Sequence, residues 1–314
     1  MSSAASPLAT PSADIALVTE RRYVANVAAA DDWYLANILS DDAHLRDALL
    51  HQGLTSARVD WANPVVDWSG YRCALFRTTW DYYHRFAEFA AWLKQVESQT
   101  LLLNDSRTVW WNLDKHYLID LRLHGVHVVS STYIERGSRA TLPELLGALG
   151  WDEAVVKPCV SGAARHTYRV TRANAAEIDR LVRPLLAAES LMLQPFQREI
   201  VSRGEMSLMI FAGQFSHAVL KVAKPGDFRV QDDHGGMVHD YSPTSDEIEF
   251  AECAMASCGT SPAYGRIDMI RDNEGRLAVT ELELIEPELW LRRAPAAATA
   301  FAAAVATRIA KEEG

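Results

Sequence analysis

The chain has 314 residues, 49% of them apolar and 23% charged, with 31 Lys plus Arg against 41 Asp plus Glu and a formal charge of −10. That is the composition of a globular protein long enough for two compact domains or one large one, and its acidity argues against a bulk nucleic-acid binder. No apolar run approaches the ~18 residues of a membrane-spanning helix, and the four cysteines, none in CxxC spacing, suit neither a disulfide framework nor a zinc site.

The first residues, MSSAASPLATPSAD, lack a basic stretch followed by an apolar one. This predicts no signal peptide and a cytoplasmic protein, with a disordered tail over 1–13. Ile15–Thr19 (IALVT) is a short apolar run suited to a buried first strand. Asp31–Leu50 reads as a helix, with Leu35, Ile38, Leu39, Leu45 and Leu49 near helical spacing and Gly53 closing it. Ser56–Asp60 and Cys73–Phe76 read as strands, Arg85–Glu97 as an amphipathic helix, and Leu101–Leu103 as a brief strand. Strands alternating with helices predict a parallel α/β amino-terminal domain.

Ser106–His124 reads as one long helix ended by Gly125, with Lys115 on its exposed side, and Val126–Ser130 as a β-branched strand. Beyond residue 140 the pattern changes to helices and antiparallel strands, an α+β character. Leu142–Leu149 and Ala173–Ala188 read as helices. Ala154–Lys157 and Ser190–Gln194 read as strands stopped by Pro158 and Pro195. Met206–Phe211 and Phe215–Val222 form a hairpin around Ala212-Gly213-Gln214, and Tyr264–Arg271 and Arg276–Ile285 flank Asp272-Asn273-Glu274-Gly275 as a second. The Ala-rich Ala294–Lys311 is a packing helix.

The second hairpin carries the chemistry. Residues two apart on a strand share a face, so Arg266 and Asp268 lie on the side occupied by Glu281 and Glu283 of the partner strand. Three carboxylates that close repel and raise one another's pKa. A hard divalent cation resolves the conflict, and Mg²⁺ suits oxygen ligands completed by phosphate; a solvated polar face is the competing reading. Lys157 ends a strand before the small-residue loop Ser161–Thr167, where a lysine and backbone N–H groups can meet a phosphate; a surface lysine is the plainer reading. Arg229, in Gly226-Asp227-Phe228-Arg229 before Gly235-Gly236, suits a mobile lid, or an ordinary loop. There is no G-x-S-x-G and no HExxH, and Cys159 in an apolar strand end suits inert packing.

Taken in order, Lys115, VVKP, LQPF, GEMS, GDFR with HGG, RIDM and ELELIEP resemble the ATP-grasp superfamily over roughly residues 106–292. The resemblance is greatest to its glutathione synthetase and ribosomal-protein glutamate ligase branch. D-alanine–D-alanine ligase shares the Arg-x-Asp and Glu-x-Asn ending. WNLDK, RTTWDYYHR, GDFRVQDDHGG and ELELIEP further resemble a bacterial subgroup that includes the cyclo-ligase of cycloserine biosynthesis. The resemblance implies an amino-terminal pre-ATP-grasp α/β domain over 14–105, a central domain over 106–190 and a carboxy-terminal domain over 191–314. The nucleotide would lie between two antiparallel sheets.

By matching position, Lys115 and Lys157 are expected to hold the ATP phosphates beneath a loop containing Ser161, Gly162 and Ala163. Gln194, Pro195 and Phe196 are expected to pair with adenine through their backbone, and Glu205 to bind the ribose. Asp268, Glu281 and Glu283 are the expected ligands of Mg²⁺, most simply two ions, with Mn²⁺ an alternative. Lys221, Arg229 and Arg266 would face the transferred phosphoryl group and the developing charge.

Two departures stand out. Glu283 replaces the family's usual Asn, and Ser207 stands where relatives carry Arg. The loop is also short, with one glycine. Arg77, Asp81 or Tyr82 could contact the substrate, or Arg77–Arg85 could be a plain strand-to-helix junction with an N-cap near Asp81.

The implied activity is ATP-dependent ligation of a small amino-acid or peptide carboxylate, through an acyl phosphate, to an amine-type nucleophile. Ring closure is one form of it. A catalytically reduced ATP-binding regulatory module and a small-molecule kinase are the competing readings. The expected partner is the small substrate, without nucleic acid or membrane; a homo-oligomer is left open.

Overall fold

The computed structural model describes residues 13–230 and 235–313; the expected tail up to residue 12 and the middle of the GDFR-to-HGG stretch lie outside them. The amino-terminal part is a parallel sheet. Strands β1 (Ile15–Thr19), β2 (Ser56–Asp60), β3 (Cys73–Thr78) and β4 (Leu101–Leu103) run in the order β2-β1-β3-β4. Every residue of β1 and β3 is buried, as central strands covered on both faces require. Helix α1 (Trp33–His51) starts at Asp32, whose side chain accepts from the Leu35 amide at 3.0 Å. Helix α2 is Phe86–Val96.

The expected long helix over 106–124 is two short ones, α3 (Ser106–Asn112) and α4 (Tyr117–Leu123). Tertiary bonds cause the break. The Asn112 side chain donates to the Leu282 carbonyl at 2.7 Å and accepts from the Leu284 amide at 2.8 Å, while the Lys115 amide donates to the Cys159 carbonyl. Lys115 is therefore buried, at 5% exposure, and not on a solvated helix face. The expected strand over 126–130 is reduced to one parallel bridge between Val128 and Val279, because the chain then turns into another sheet.

That sheet is antiparallel, in the order β5-β8-β6-β7, from β5 (Thr132–Ile134), β6 (Glu153–Pro158), β7 (Tyr168–Thr171) and β8 (Leu191–Pro195). Helices α5 (Leu142–Leu149) and α6 (Ala175–Val182) cover it. α6 stops short of the expected Ala188, because Pro184 interrupts the ladder and only a 3-10 turn follows.

The third sheet has five antiparallel strands in the order β11-β10-β9-β12-β13. These are β9 (Glu205–Phe211), β10 (Gln214–Val222), β11 (Met237–Tyr241), β12 (Tyr264–Arg271) and β13 (Leu277–Glu283). The two hairpins, β9–β10 and β12–β13, are those expected. α7 (Glu199–Arg203) precedes β9 and α8 (Ser245–Ala256) packs behind the sheet with Ile267, Met269, Leu282 and Leu284. The final helix α9 (Ala297–Glu313) returns to the amino-terminal sheet: Phe301, Ala302, Val305 and Ile309 share a core with Ile15, Leu17, Leu45, Leu75 and Phe211. The architecture is α/β with α+β character in its carboxy-terminal part, and the three sheets surround one cleft.

Candidate active site

The centre of the site follows from β-sheet register. Asp268 lies opposite Glu281 and Arg266 opposite Glu283, with a bulge after Asp268. The hairpin thus presents two cross-strand pairs on one face. Asp268 is 2% exposed. Its Oδ1 accepts from Ser207 Oγ at 2.5 Å and Arg266 Nε at 2.9 Å; its Oδ2 accepts from Arg266 Nη2 at 2.8 Å and Lys221 Nζ at 2.9 Å. Burial alone would raise its pKa, but Arg266 and Lys221 hold the carboxyl well below the ordinary range. Ser207, at a position where the resemblance implied Arg in relatives, thus orients Asp268 through a short hydrogen bond. Lys221 also pairs with Glu205 at 2.7 Å, and these two carboxylates keep the buried ammonium charged.

Across the cleft, Lys115 Nζ sits 2.9 Å from Glu281 Oε1 and donates to the Ser161 carbonyl at 2.6 Å. Burial would raise the Glu281 pKa, but Lys115 and Lys157 hold it low. Glu283 pairs with Arg266 yet is pushed by burial up to about 8, with Asp268 and Glu281 adding to the effect. This is the expected like-charge conflict, seen on the residue that departs from the family pattern.

A metal has a suitable donor set here. Glu281 and Glu283 each have one oxygen on a cation, and among the described residues no group bonds to the other oxygen. Hard carboxylate oxygens beside phosphate-sized space suit Mg²⁺ or Mn²⁺. Asp268 fits less directly, since both its oxygens are already held.

Lys157 behaves differently from the other lysines. Burial and the neighbouring Lys115 lower its pKa despite Glu281. Among the described residues its ammonium makes no ion pair or hydrogen bond, so it is a cation available to an anion. Beyond it the loop takes left-handed backbone at Ala163 (φ 48), Ala164 (φ 52) and His166 (φ 49), conformations that a glycine would adopt more cheaply. A Cβ on Gly162 would lie 2.8 Å from the Tyr83 ring, so the loop packs against the amino-terminal part.

The expected adenine segment is at the cleft wall, with one adjustment. The Phe196 amide donates to the Glu153 carbonyl at 3.0 Å, its carbonyl accepts from Asn273, and the Pro195 carbonyl accepts from the Gln197 side chain. The Gln194 side chain donates to Ser131. The backbone groups of Pro195 and Phe196 are thus used within the fold, and the first N–H of this segment without an acceptor among the described residues is that of Gln197. Both Glu205 oxygens are engaged, by Lys221 and by Thr280 at 2.7 Å. Arg229 reaches the cleft in a fork with Asp227, Nη2 to Oδ2 2.7 Å.

Lys115, Lys157, Ser161, Gly162 and Ala163 line a single cavity of about 720 Å³. So do Gln194, Pro195, Phe196, Glu205, Lys221, Arg229, Arg266, Asp268, Glu281 and Glu283. Of the amino-terminal candidates, Asp81 and Tyr82 line it as well. Arg77 does not: it is 3% exposed and donates to Asp42 at 2.9 Å. Asp81 is not an N-cap either; α2 begins after Arg85, and Asp81 accepts from Trp61 Nε1 and Arg85. Sequence reasoning missed the aromatic wall formed by Tyr23, Tyr34, Trp80 and Trp290, and the carboxylates Glu20 and Glu286 beside it. The one available signal was ELELIEP itself, whose last glutamate is Glu286.

Comparison with known proteins agrees with this geometry. The family described as D-cycloserine synthetase DcsG, N-terminal domain, matches residues 15–104. The cycloserine biosynthesis protein DcsG of Streptomyces lavendulae is 34% identical over 283 residues, 84% of this chain and 92% of the relative. A crystal structure of D-cycloserine synthetase DcsG is similar with a TM-score of 0.81 at 32% identity, over 94% of this chain and 99% of that one. At 15% identity, D-alanine–D-alanine ligase from Bacillus anthracis gives 0.66 over 96% and 99%. The ATP-grasp ligase PsnB with minimal precursor, Mg and ADP gives 0.55 at 15% identity over 91% and 98%. These last two show the shared fold.

Proposed function

Because the chain belongs to the D-cycloserine synthetase DcsG family and is an ATP-grasp carboxylate–amine ligase, we propose that it activates a small amino-acid carboxylate as an acyl phosphate. A nitrogen nucleophile then displaces the phosphate, by ring closure within one molecule as the relative's name suggests. The observation that carries this reading is the paired arrangement Asp268–Glu281 and Arg266–Glu283 facing Lys115 and Lys157 in one cleft.

The chemistry needs such a site. A carboxylate is a poor electrophile, because displacement would expel oxide. Its oxygen attacks the γ-phosphorus of ATP, the bond to the β-phosphate oxygen breaks, and ADP leaves. The nitrogen then attacks the acyl carbon, the bond to the phosphate oxygen breaks, and phosphate departs as the nitrogen loses its proton. No protein nucleophile is required, only positioning and charge neutralisation.

In this reading Lys157 and Lys115 hold phosphate oxygens, while Ser161, Gly162 and Ala163 cover them. The Gln197 amide, with Pro195 and Phe196 shaping the pocket, receives adenine, and Glu205 orients the ribose side. Arg266, Arg229 and Lys221 stabilise the carboxylate and the charge that develops on transfer. Glu281 and Glu283 would hold Mg²⁺, with Asp268 behind them; the ion supplies charge neutralisation on the phosphates. The domains expected over 14–105, 106–190 and 191–314 each contribute a wall, and the protein works in the cytoplasm. No helix among the described residues is long and apolar enough to cross a membrane. The regulatory reading rested on Ser207 and Glu283, and its motive weakens because both are integrated into the charged network.

The test is ADP release by the purified protein with ATP, Mg²⁺ and a panel of amino acids and dipeptides. A substrate-dependent rate abolished by Glu281→Gln is expected. No release with any member of the panel, and no change with Glu281→Gln, would contradict the reading.

A further inference from the structure

The charges along the cleft are unequally satisfied. Asp268, Glu281, Glu283 and Glu205 each lie against a lysine or arginine. Glu286 also faces the cavity, but among the described residues it makes no ion pair. The Tyr82 hydroxyl donates to its carboxylate, and Trp80 Nε1 donates to its carbonyl at 2.9 Å. Its position is therefore fixed by two aromatic residues from the segment after β3, and neither brings a positive charge.

Those residues belong to a wall. The Trp80 ring meets Tyr23 edge-on at 5.7 Å and Tyr34 at 6.0 Å, and all three line the cavity. Arg266 lies close by: its Nη1 donates at 3.2 Å to the carbonyl of Glu288, two residues beyond Glu286. A carboxylate that makes no ion pair and lines a cavity together with aromatic rings is a receptor for an organic cation. An amino acid carries its ammonium two bonds from its carboxylate, so a carboxylate held at Arg266 brings the ammonium towards this wall.

We propose that Glu286, with Trp80 and the Tyr23–Tyr34 wall, is the subsite for the α-ammonium group of a free amino-acid substrate. This rests on the ligase reading above and narrows it, because N-acylated amino acids and carboxylates internal to a peptide lack that cation. Burial raises the Glu286 pKa to about 7, as a carboxylate awaiting a cation should behave. Nothing in this step changes a covalent bond; the subsite positions the carboxylate.

The experiment compares ADP release with free alanine, serine and O-substituted serines of both hands against their N-acetyl derivatives. The free amino acids are expected to be preferred in kcat/KM by about tenfold or more, the worth of one hydrogen-bonded charge pair. Glu286→Gln is expected to raise KM for the preferred amino acid about tenfold while leaving KM for ATP unchanged, and to erase the preference over the N-acetyl form. Glu286→Asp should recover part of it, and Trp80→Phe provides an independent probe of the wall. Equal rates with N-acetyl substrates, or a preference intact in Glu286→Gln, would overturn the subsite and leave the ligase reading standing. No ADP release with any substrate would overturn both.

Discussion

The two walls of the cleft solve the problem of buried charge in opposite ways. On the β12–β13 wall every carboxylate meets a cation, Asp268 meeting both Arg266 and Lys221. On the facing wall Glu20 and, beyond β13, Glu286 line the cavity with Tyr23, Tyr34 and Trp80 and make no ion pair among the described residues, and burial lifts each to about 7. The first arrangement is rigid and nearly complete in itself, as positioning of a phosphoryl group demands. The second is incomplete and gains by binding a cation. One wall thus suits the chemistry and the other suits selection of the substrate.

The sharpest way to break this contrast is at Asp268. Asp268→Asn removes the carboxylate that Arg266 and Lys221 share, leaving each with one partner, Glu283 and Glu205; breaking a buried pair typically costs about 3–5 kcal/mol of stability. We expect a large fall in melting temperature together with loss of ADP release. A variant that melts like the parent protein would mean that the network is not structurally coupled. Glu281→Gln removes one negative charge at a partly open position. It should lower kcat by about 10²–10³-fold with a smaller fall in melting temperature than Asp268→Asn, because Lys115 keeps its bond to the Ser161 carbonyl.

Lys157→Met sharpens the comparison from the other side. Its ammonium has no protein partner among the described residues, so the variant should fold at least as well as the parent. Its KM for ATP should rise about tenfold or more, measured by ADP release against ATP concentration. A smaller effect is expected at Gly162→Ala, whose new Cβ meets Tyr83. KM for ATP should rise several-fold (roughly 1 kcal/mol of overpacking), and Tyr83→Ala in the same chain should restore it.

The smallest effect concerns pH. The Glu20 carboxyl is raised from 4.5 to about 7, by burial first and Asp81 second. The folded state therefore holds this proton more tightly than the unfolded chain. Its contribution to stability is fully present below about pH 4.5 and is lost as pH rises through about 7. Glu20→Gln should melt with the parent at pH 4 and above it at pH 8. The reverse order would show that the attraction of Arg22 and Arg85 outweighs burial at Glu20.

The β12–β13 wall was legible in the sequence because its signals are local. Alternation on β12 and β13 with a turn at Asp272–Gly275 defines which side chains share a face. The amino-terminal strands were equally plain from their apolar runs. Lys115 was placed wrongly because helix propensity favours one continuous helix over 106–124, whereas Asn112 and Lys115 spend their hydrogen bonds on segments near residues 282 and 159. β5, β7 and β11 are three to five residues long and carry no periodicity that a single sequence displays. The aromatic wall assembles Tyr23, Tyr34, Trp80 and Glu286 from distant stretches, so only the fold brings it into view. Ser207 reads as a loss in sequence and as an Asp268 ligand in space.

The central claim is that this cleft makes an acyl phosphate, and hydroxylamine tests it most directly. With ATP, Mg²⁺ and the amino acid that best accelerates ADP release, hydroxylamine should intercept the activated carboxylate. The account predicts an amino-acid hydroxamate formed in step with ADP and lost in Glu281→Gln. ADP release with no hydroxamate, and with phosphate retained on the amino acid, would contradict it.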